Sequence, residues 1–296
     1  MDWRKRPEEA SECIDDQPLP HWARIAHRRT PLRPCGARNG AMRGEEEGVR
    51  VLKTAIKNVF TRFGYQILPV ATWGTTKKVI QNSNYRLVSW TKANGEVDLA
   101  GYRREQEKGN RAKITQIWTS EPNLKFICQW LSDRGLVAKF ILCHGTRNGF
   151  EQRIFKEAFQ CEVIGTEISP TASQFPMTVQ ADFHEPNPAW DGRADIVYSN
   201  SLDHAYDPAK ALRAWAQSVR DGGVIILEKA SDSDPRGTSD LDPFGITLPN
   251  LLVLLLETLG DIACIRAAVE VPQPRAGATY HRMIVIGIDR RGLGVH

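Results

Sequence analysis

From residue 138 onward the chain repeats one arrangement: a short apolar run, a turn, then a longer stretch with apolar residues three and four apart. The runs AKFILC, CEVIGTE, MTVQAD, ADIVYSN, GVIILEKA, IACIRAAVEV and YHRMIVIGID read as strands, and 149–159, 208–220 and 247–260 read as helices. Parallel strands cannot be joined by a tight turn, so each pair needs a crossover, and the crossover helices cover both faces of the sheet. The expected fold is therefore a three-layer α/β sandwich with a mainly parallel sheet. A further helix is expected just before the first strand. There Ser120 caps, Pro122 sits in the first turn, and Leu124, Ile127, Cys128 and Leu131 form one stripe that stops at Gly135.

The rest of the chain divides by composition. Residues 1–50 mix arginine clusters, the run GEEEG, proline and glycine without apolar periodicity, and read as a disordered tail, because too little apolar surface is available to offset ordering. Residues 51–63 form an amphipathic pattern with a basic face. A solvated face is the plainer reading, and weak peripheral contact with a membrane surface or an anionic glycan lipid is the sharper one. Residues 70–110 carry the strand-like pieces YRLVSW and EVDLAGY and the charged stretch RREQEKGNR, read as a small appendage and a linker. The division expected is thus a tail at 1–50, a helix and appendage at 51–111, and the main domain at 112–296.

Charge and cysteine content narrow the function classes. A net charge of +4 from 39 basic and 35 acidic residues is spread along the chain, which gives no strong nucleic-acid signal. The six cysteines are scattered without metal-ligand spacing, which fits a reduced cytoplasmic setting and no structural metal. The most apolar run, ITLPNLLVLLLETLG, is shorter than the roughly 20 residues of a membrane span and contains Pro249 and Glu257. The amino terminus lacks the apolar segment of a secretory signal.

In an open parallel sheet, ligands sit beyond the carboxyl ends of the strands. After the first strand, Gly145 and Gly149 bracket a tight turn in CHGTRNG. The second strand ends in Glu167, where an ionised carboxylate could accept both hydroxyls of a ribose. The third ends in Asp182 followed by Phe183, an acceptor and an apolar cover suited to adenine. The fourth ends in Ser199 and Asn200 and leads into SLDHAYDP.

The order FILCHGTRNG, VIGTE, QADFH, ADIVYSNSLDHAYDP and VRDGGVIILE resembles the class I S-adenosylmethionine-dependent methyltransferases over roughly residues 112–290, most specifically 139–229. The resemblance implies a Rossmann-like sandwich with a seven-stranded, mainly parallel sheet whose last strand, YHRMIVIGID, is antiparallel. It also implies S-adenosyl-L-methionine as cofactor. The methionine end would lie at Cys143, Gly145, Thr146, Arg147 and Gly149, the ribose at Glu167 and Ile168, and the adenine at Asp182 and Phe183. Ser199 and Asn200 would face the amino-acid part or the reactive methyl group.

Two positions depart from the family pattern. Cys143 stands where an acid usually receives the donor's ammonium group, and Arg147 stands for the middle glycine of the turn. Arg147 would cost about 1 kcal/mol or more if its φ were positive, yet its guanidinium could pair with the donor's carboxylate. His204 is the leading candidate for a general base, with His184 second, Asp203 a possible orienting group and Tyr206 a packing residue. The insertion ASDSDPRGTSDLDPFGITLPN reads as a mobile lid with Phe244 as an apolar contact, and its four aspartates as solvated rather than metal-binding. No NPPY-like motif follows the fourth strand, which points away from base-amino methylation. The basic stretch at 51–63 followed by RFGYQILP loosely resembles leaders of methyltransferases in bacterial glycan and lipopolysaccharide pathways, and that resemblance implies a small-molecule or glycan hydroxyl as acceptor. The alternatives are a methyltransferase fold kept as a non-catalytic interaction protein and a nicotinamide-dependent oxidoreductase.

Overall fold

The computed structural model describes residues 79–81, 85–92 and 94–290, all within one compact unit spanning 70–296. The expected tail at 1–50 and basic helix at 51–63 lie outside the described residues. Seven strands make the central sheet: β3 (Phe140–His144), β4 (Glu162–Glu167), β5 (Thr178–Gln180), β6 (Ala194–Ser199), β7 (Val219–Ala230), β9 (Ala263–Glu270) and β10 (His281–Ile288). Their order is β5-β4-β3-β6-β7-β10-β9. The first five are parallel, and β10 runs antiparallel to both β7 and β9. Strand order reverses between β3 and β6, so the crevice for a ligand opens at their carboxyl ends.

Helices α2 (Glu121–Ser132) and α3 (Phe150–Phe159) cover one face, and α4 (Pro208–Ser218) and α5 (Leu248–Leu259) the other. Ser120 caps α2 by accepting from Asn123 N–H, and Leu124, Ile127, Cys128 and Leu131 are buried. Asp207 caps α4, which buries Ala211, Leu212 and Trp215. The apolar run at 246–260 forms α5. Leu251, Leu255 and Leu259 face the sheet while Val253 and Leu256 are exposed, and no helix among the described residues is long and apolar enough to cross a membrane. One polar group sits deep in the sheet: Glu228 accepts from Tyr198 Oη at 2.5 Å and Thr119 Oγ1 at 2.7 Å, and lies 2.8 Å from His281 Nε2.

Several local expectations change. EVDLAGY is not a strand beyond a single bridge from Val97 to Thr91, and RREQEKGNR is not a linker; residues 99–112 form α1 (Leu99–Ala112), capped by Asp98, whose side chain accepts from Gly101 N–H. Its buried face is Tyr102, Gln106, Gly109 and Asn110, a helical period written mostly in polar residues, so hydropathy could not mark it. In α3 the buried side chains are Glu151, Gln152, Ile154 and Phe155, and Ala158 is exposed. The strand expected as GVIILEKA begins earlier, at Val219, and runs through DGG, with Gly222 at φ 77° absorbing the distortion.

The insertion after β7 is anchored rather than an unattached lid. Its strand β8 (Phe244–Ile246) pairs with β2 (Tyr85–Val88), which also pairs with β1 (Val79–Gln81), and Phe244 is buried in the core. Its aspartates are paired too: Asp234 binds Lys229 Nζ at 2.8 Å and accepts from Tyr280 Oη at 2.5 Å, and Asp232 pairs with Arg275 at 3.0 Å.

Candidate active site

The glycine turn after β3 is shaped by its backbone. Gly145 N–H and Thr146 N–H both donate to Thr166 O, which folds the turn back onto β4. Gly145 (φ 75°) and Gly149 (φ 77°) hold the left-handed positions, and a Cβ on Gly145 would sit 2.6 Å from Ser201 Cβ. Arg147 does not have a positive φ, so a side chain here carries none of the strain expected from the missing glycine.

A cavity opens over this turn at the carboxyl ends of β3, β4 and β6, enclosing about 1250 Å³ including the part open to solvent. Of the residues singled out from the sequence, Gly145, Arg147, Glu167, Ile168, Asp182, Phe183, Asn200, Asp203, His204 and Phe244 line it. Glu167 accepts from Ser169 N–H at 2.9 Å through Oε1, and burial pushes its carboxyl above the ordinary range. Asp182 Oδ1 accepts from His184 N–H and pairs with His184 Nδ1 at 2.7 Å, while Oδ2 is buried without a partner. Burial alone would raise the Asp182 pKa, but the bonds from His184 outweigh it and hold the pKa below the usual value.

Five candidates are placed elsewhere. Cys143 is fully buried in the apolar cluster with Ile127, Ile154 and Phe155, and burial holds its thiol well above the usual pKa. Strand alternation aims it into the helix layer rather than at the cavity. Thr146 accepts from Gln152 Nε2 at 2.8 Å and is buried beneath the turn. Gly149 serves as the start of α3. Ser199 donates to His144 O at 3.1 Å, within the sheet. His184, the second candidate base, is fully buried, bound to Asp182 and stacked 3.8 Å from Tyr206, so both residues are packing elements.

His204 stands at the cavity wall with its tautomer set by its neighbours. Nδ1 lies 3.0 Å from both Gln106 Oε1 and Leu241 O, and since a carbonyl can only accept, Nδ1 carries the proton. Nε2 then faces Asp242 Oδ1 at 3.5 Å. Ligand-type atoms of Asp203, His204 and Asp242 lie within 4.8 Å of one another at this rim, an arrangement also common on surfaces without an ion. Tyr102 Oη donates to the His204 carbonyl oxygen at 2.9 Å, tying α1 to the site.

Sequence reasoning missed α1, whose Tyr102, Gln106, Gly109 and Asn110 line the cavity, and it missed Glu151 on α3. The signal for α1 was present in the period of Tyr102, Gln106 and Gly109 behind an Asp98 cap. Glu151 carried no such signal, because a glutamate in the first turn of a helix is ordinarily a solvated dipole partner.

Residues 142–227 match the family described as Methyltransferase domain. Over these residues the chain is similar to methyltransferase domains. No curated protein sequence matches it. Among solved structures, the chain resembles in fold 1,6-didemethyltoxoflavin-N1-methyltransferase from Burkholderia thailandensis, solved with 1,6-didemethyltoxoflavin and S-adenosylhomocysteine bound. The identity is 14%, covering 72% of this chain and 99% of that one, with a TM-score of 0.50. Geranyl diphosphate C-methyltransferase from Streptomyces coelicolor A3(2) is similar at 13% identity over 64% and 98% of the two chains, TM-score 0.46. At these identities the likeness is one of fold.

Proposed function

We propose that the protein binds S-adenosyl-L-methionine and transfers its methyl group, in line, to a hydroxyl of a small-molecule or glycan acceptor. The observation that carries this reading is the pair of strand-tip carboxylates, Glu167 on β4 and Asp182 after β5, lining one cavity beside the Gly145 turn. Three features support the fit of an adenosyl group with a charged tail. Asp182 Oδ2 is a buried acceptor without a partner, suited to an adenine amine; Arg147 Nε is a buried donor without a partner; and Gly145, whose added Cβ would meet Ser201, keeps the turn close-packed at the cavity edge. Ile168 and Phe183 supply apolar lining in the same cavity, as an adenine needs. The first solved neighbour was itself crystallised with S-adenosylhomocysteine.

The cofactor supplies an electrophilic methyl on a sulfonium, and displacement there needs close in-line placement more than it needs acid or base. Glu167 orients the ribose, Arg147 the carboxylate end, and His204 faces the acceptor side. His204 Nε2 removes the acceptor hydroxyl's proton, and the resulting imidazolium is stabilised by Asp242 while Gln106 and Leu241 keep the ring oriented. Asp203, Asp232 and Arg275 line the same side, giving a rim of hydrogen-bonding groups suited to a polar acceptor.

Calorimetry and thermal shift with S-adenosylhomocysteine test the reading. Micromolar binding with stabilisation is expected. Neither heat nor stabilisation at millimolar ligand, or a response to NAD(H) instead, would overturn it.

A further inference from the structure

Glu151 is a charged residue of the cavity that the strand-tip reading leaves without a task. It is 7% exposed and lines the cavity from the first turn of α3, one residue past the helix start. Among the described residues its one side-chain donor is Asn200 Nδ2, at a long 3.5 Å from Oε1. A carboxylate enclosed to this degree, held only by its own backbone N–H and this one long bond, is costly unless something arrives to pair with it. The other ionisable groups acting on it do not offer that pairing. Glu228 on β7 opposes its ionisation, Cys143 on β3 and Tyr198 on β6 are buried neutral neighbours, and Arg147 favours its charge from the turn without forming an ion pair. Burial raises its pKa to about 7, so without a paired cation the carboxyl is half protonated near neutrality.

The chemistry complementary to this site is a compact cation with several N–H donors beside an anion that Arg147 can hold. An α-amino acid end has that character. We propose that Glu151 receives the ammonium group of the donor's methionine end, replacing from the helix the acid that the β3 position lacks at Cys143. The assignment rests on the adenosyl reading above. It also gives the cysteine a physical reason: Cys143 lies close enough to Glu151 to feel its charge, and a second carboxylate there would set two buried acids against each other. A neutral thiol leaves a single acid for a single cation, and Arg147 and Glu151 together read the two charges of the zwitterion.

The test compares S-adenosylhomocysteine with 5′-methylthioadenosine, which keeps the adenosine and sulfur but has no amino-acid end, using the full-length protein and Glu151→Gln. The wild type should bind both. Glu151→Gln should weaken S-adenosylhomocysteine at least tenfold at pH 8 and leave 5′-methylthioadenosine within twofold. In the wild type, S-adenosylhomocysteine affinity should rise roughly tenfold between pH 6 and pH 8 as the carboxyl ionises through its value near 7, and in Glu151→Gln this rise should vanish. An acid whose folded pKa is raised loses stability as pH climbs through that range. Glu151→Gln should therefore raise the melting temperature of the ligand-free protein at pH 8 more than at pH 6, which also shows that the variant folds. Equal loss of both ligands, or no loss of either, overturns the role of Glu151. Failure of the wild type to bind 5′-methylthioadenosine strikes the adenosyl reading itself and the ammonium assignment with it.

Discussion

Replacing Arg147 by the glycine that the turn pattern calls for separates two accounts of this residue. If position 147 needed a left-handed backbone, glycine would relieve about 1–2 kcal/mol of strain and the protein would gain stability. The structure gives the opposite sign. The positive-φ residues of the turn are Gly145 and Gly149, and Arg147 is not among them. Arg147→Gly then removes no strain and increases the conformational freedom of the unfolded chain, costing about 0.5–1 kcal/mol. It also removes the contact of Arg147 Nη1 with Gln116 O at 3.3 Å, a long and exposed bond of small value. For a domain of this size the melting temperature should fall by about 1–4 °C. If the guanidinium grips the donor's carboxylate, the loss of a charge-assisted hydrogen bond weakens S-adenosylhomocysteine by about 1.5–3 kcal/mol, or roughly 10- to 150-fold. Thermal denaturation of the ligand-free protein and titration calorimetry with the product measure the two effects separately. A rise in melting temperature would refute the backbone argument, and unchanged affinity would show that the side chain does not meet the ligand.

Other perturbations address the remaining groups. Glu167→Ala should weaken S-adenosylhomocysteine and 5′-methylthioadenosine alike by about 1–3 kcal/mol, since both keep the ribose; an effect confined to turnover contradicts the ribose role. His204→Ala should lower kcat by about 10²- to 10⁴-fold with product affinity unchanged in calorimetry, and a parallel loss of affinity would make it a binding residue instead. Glu228→Gln should destabilise the fold by about 3 kcal/mol, a fall of about 6–12 °C, because it breaks a fully buried pairing with His281 and Tyr198. Burial would raise the Glu228 pKa, but the bonds from His281 and Tyr198 outweigh it and the net value is lowered. Its contribution is therefore full above the ordinary carboxylate range, near 4.3, and is lost as pH falls through the lowered value. A wild-type melting temperature that stays level from pH 6 to pH 3 would count against this pairing.

Local pattern alone determined the seven strands, the helices between them, the two glycines of the turn and the carboxylates Glu167 and Asp182 at the strand tips. Each of these follows from periodicity and turn chemistry within a few residues. In an open parallel sheet the ligand side is fixed by chain direction, so a residue that ends a strand is already placed. Tertiary structure decided what periodicity cannot carry. A strand buried on both faces reads as apolar throughout, so nothing in FILCH told Cys143, which enters the helix layer, from a residue turned to the cavity. The helix at 99–112 buries Tyr102, Gln106, Gly109 and Asn110, side chains that register as surface until the cavity beside them is known. Asp234 of the insertion read as solvated because one of its two partners, Tyr280, comes from a distant part of the chain, and exposed Asp232 meets the equally distant Arg275. Glu151 depends on the same distinction: in sequence it is one more charge at a helix start, and only the packing of α3 against the sheet turns it into a buried carboxylate facing a cavity.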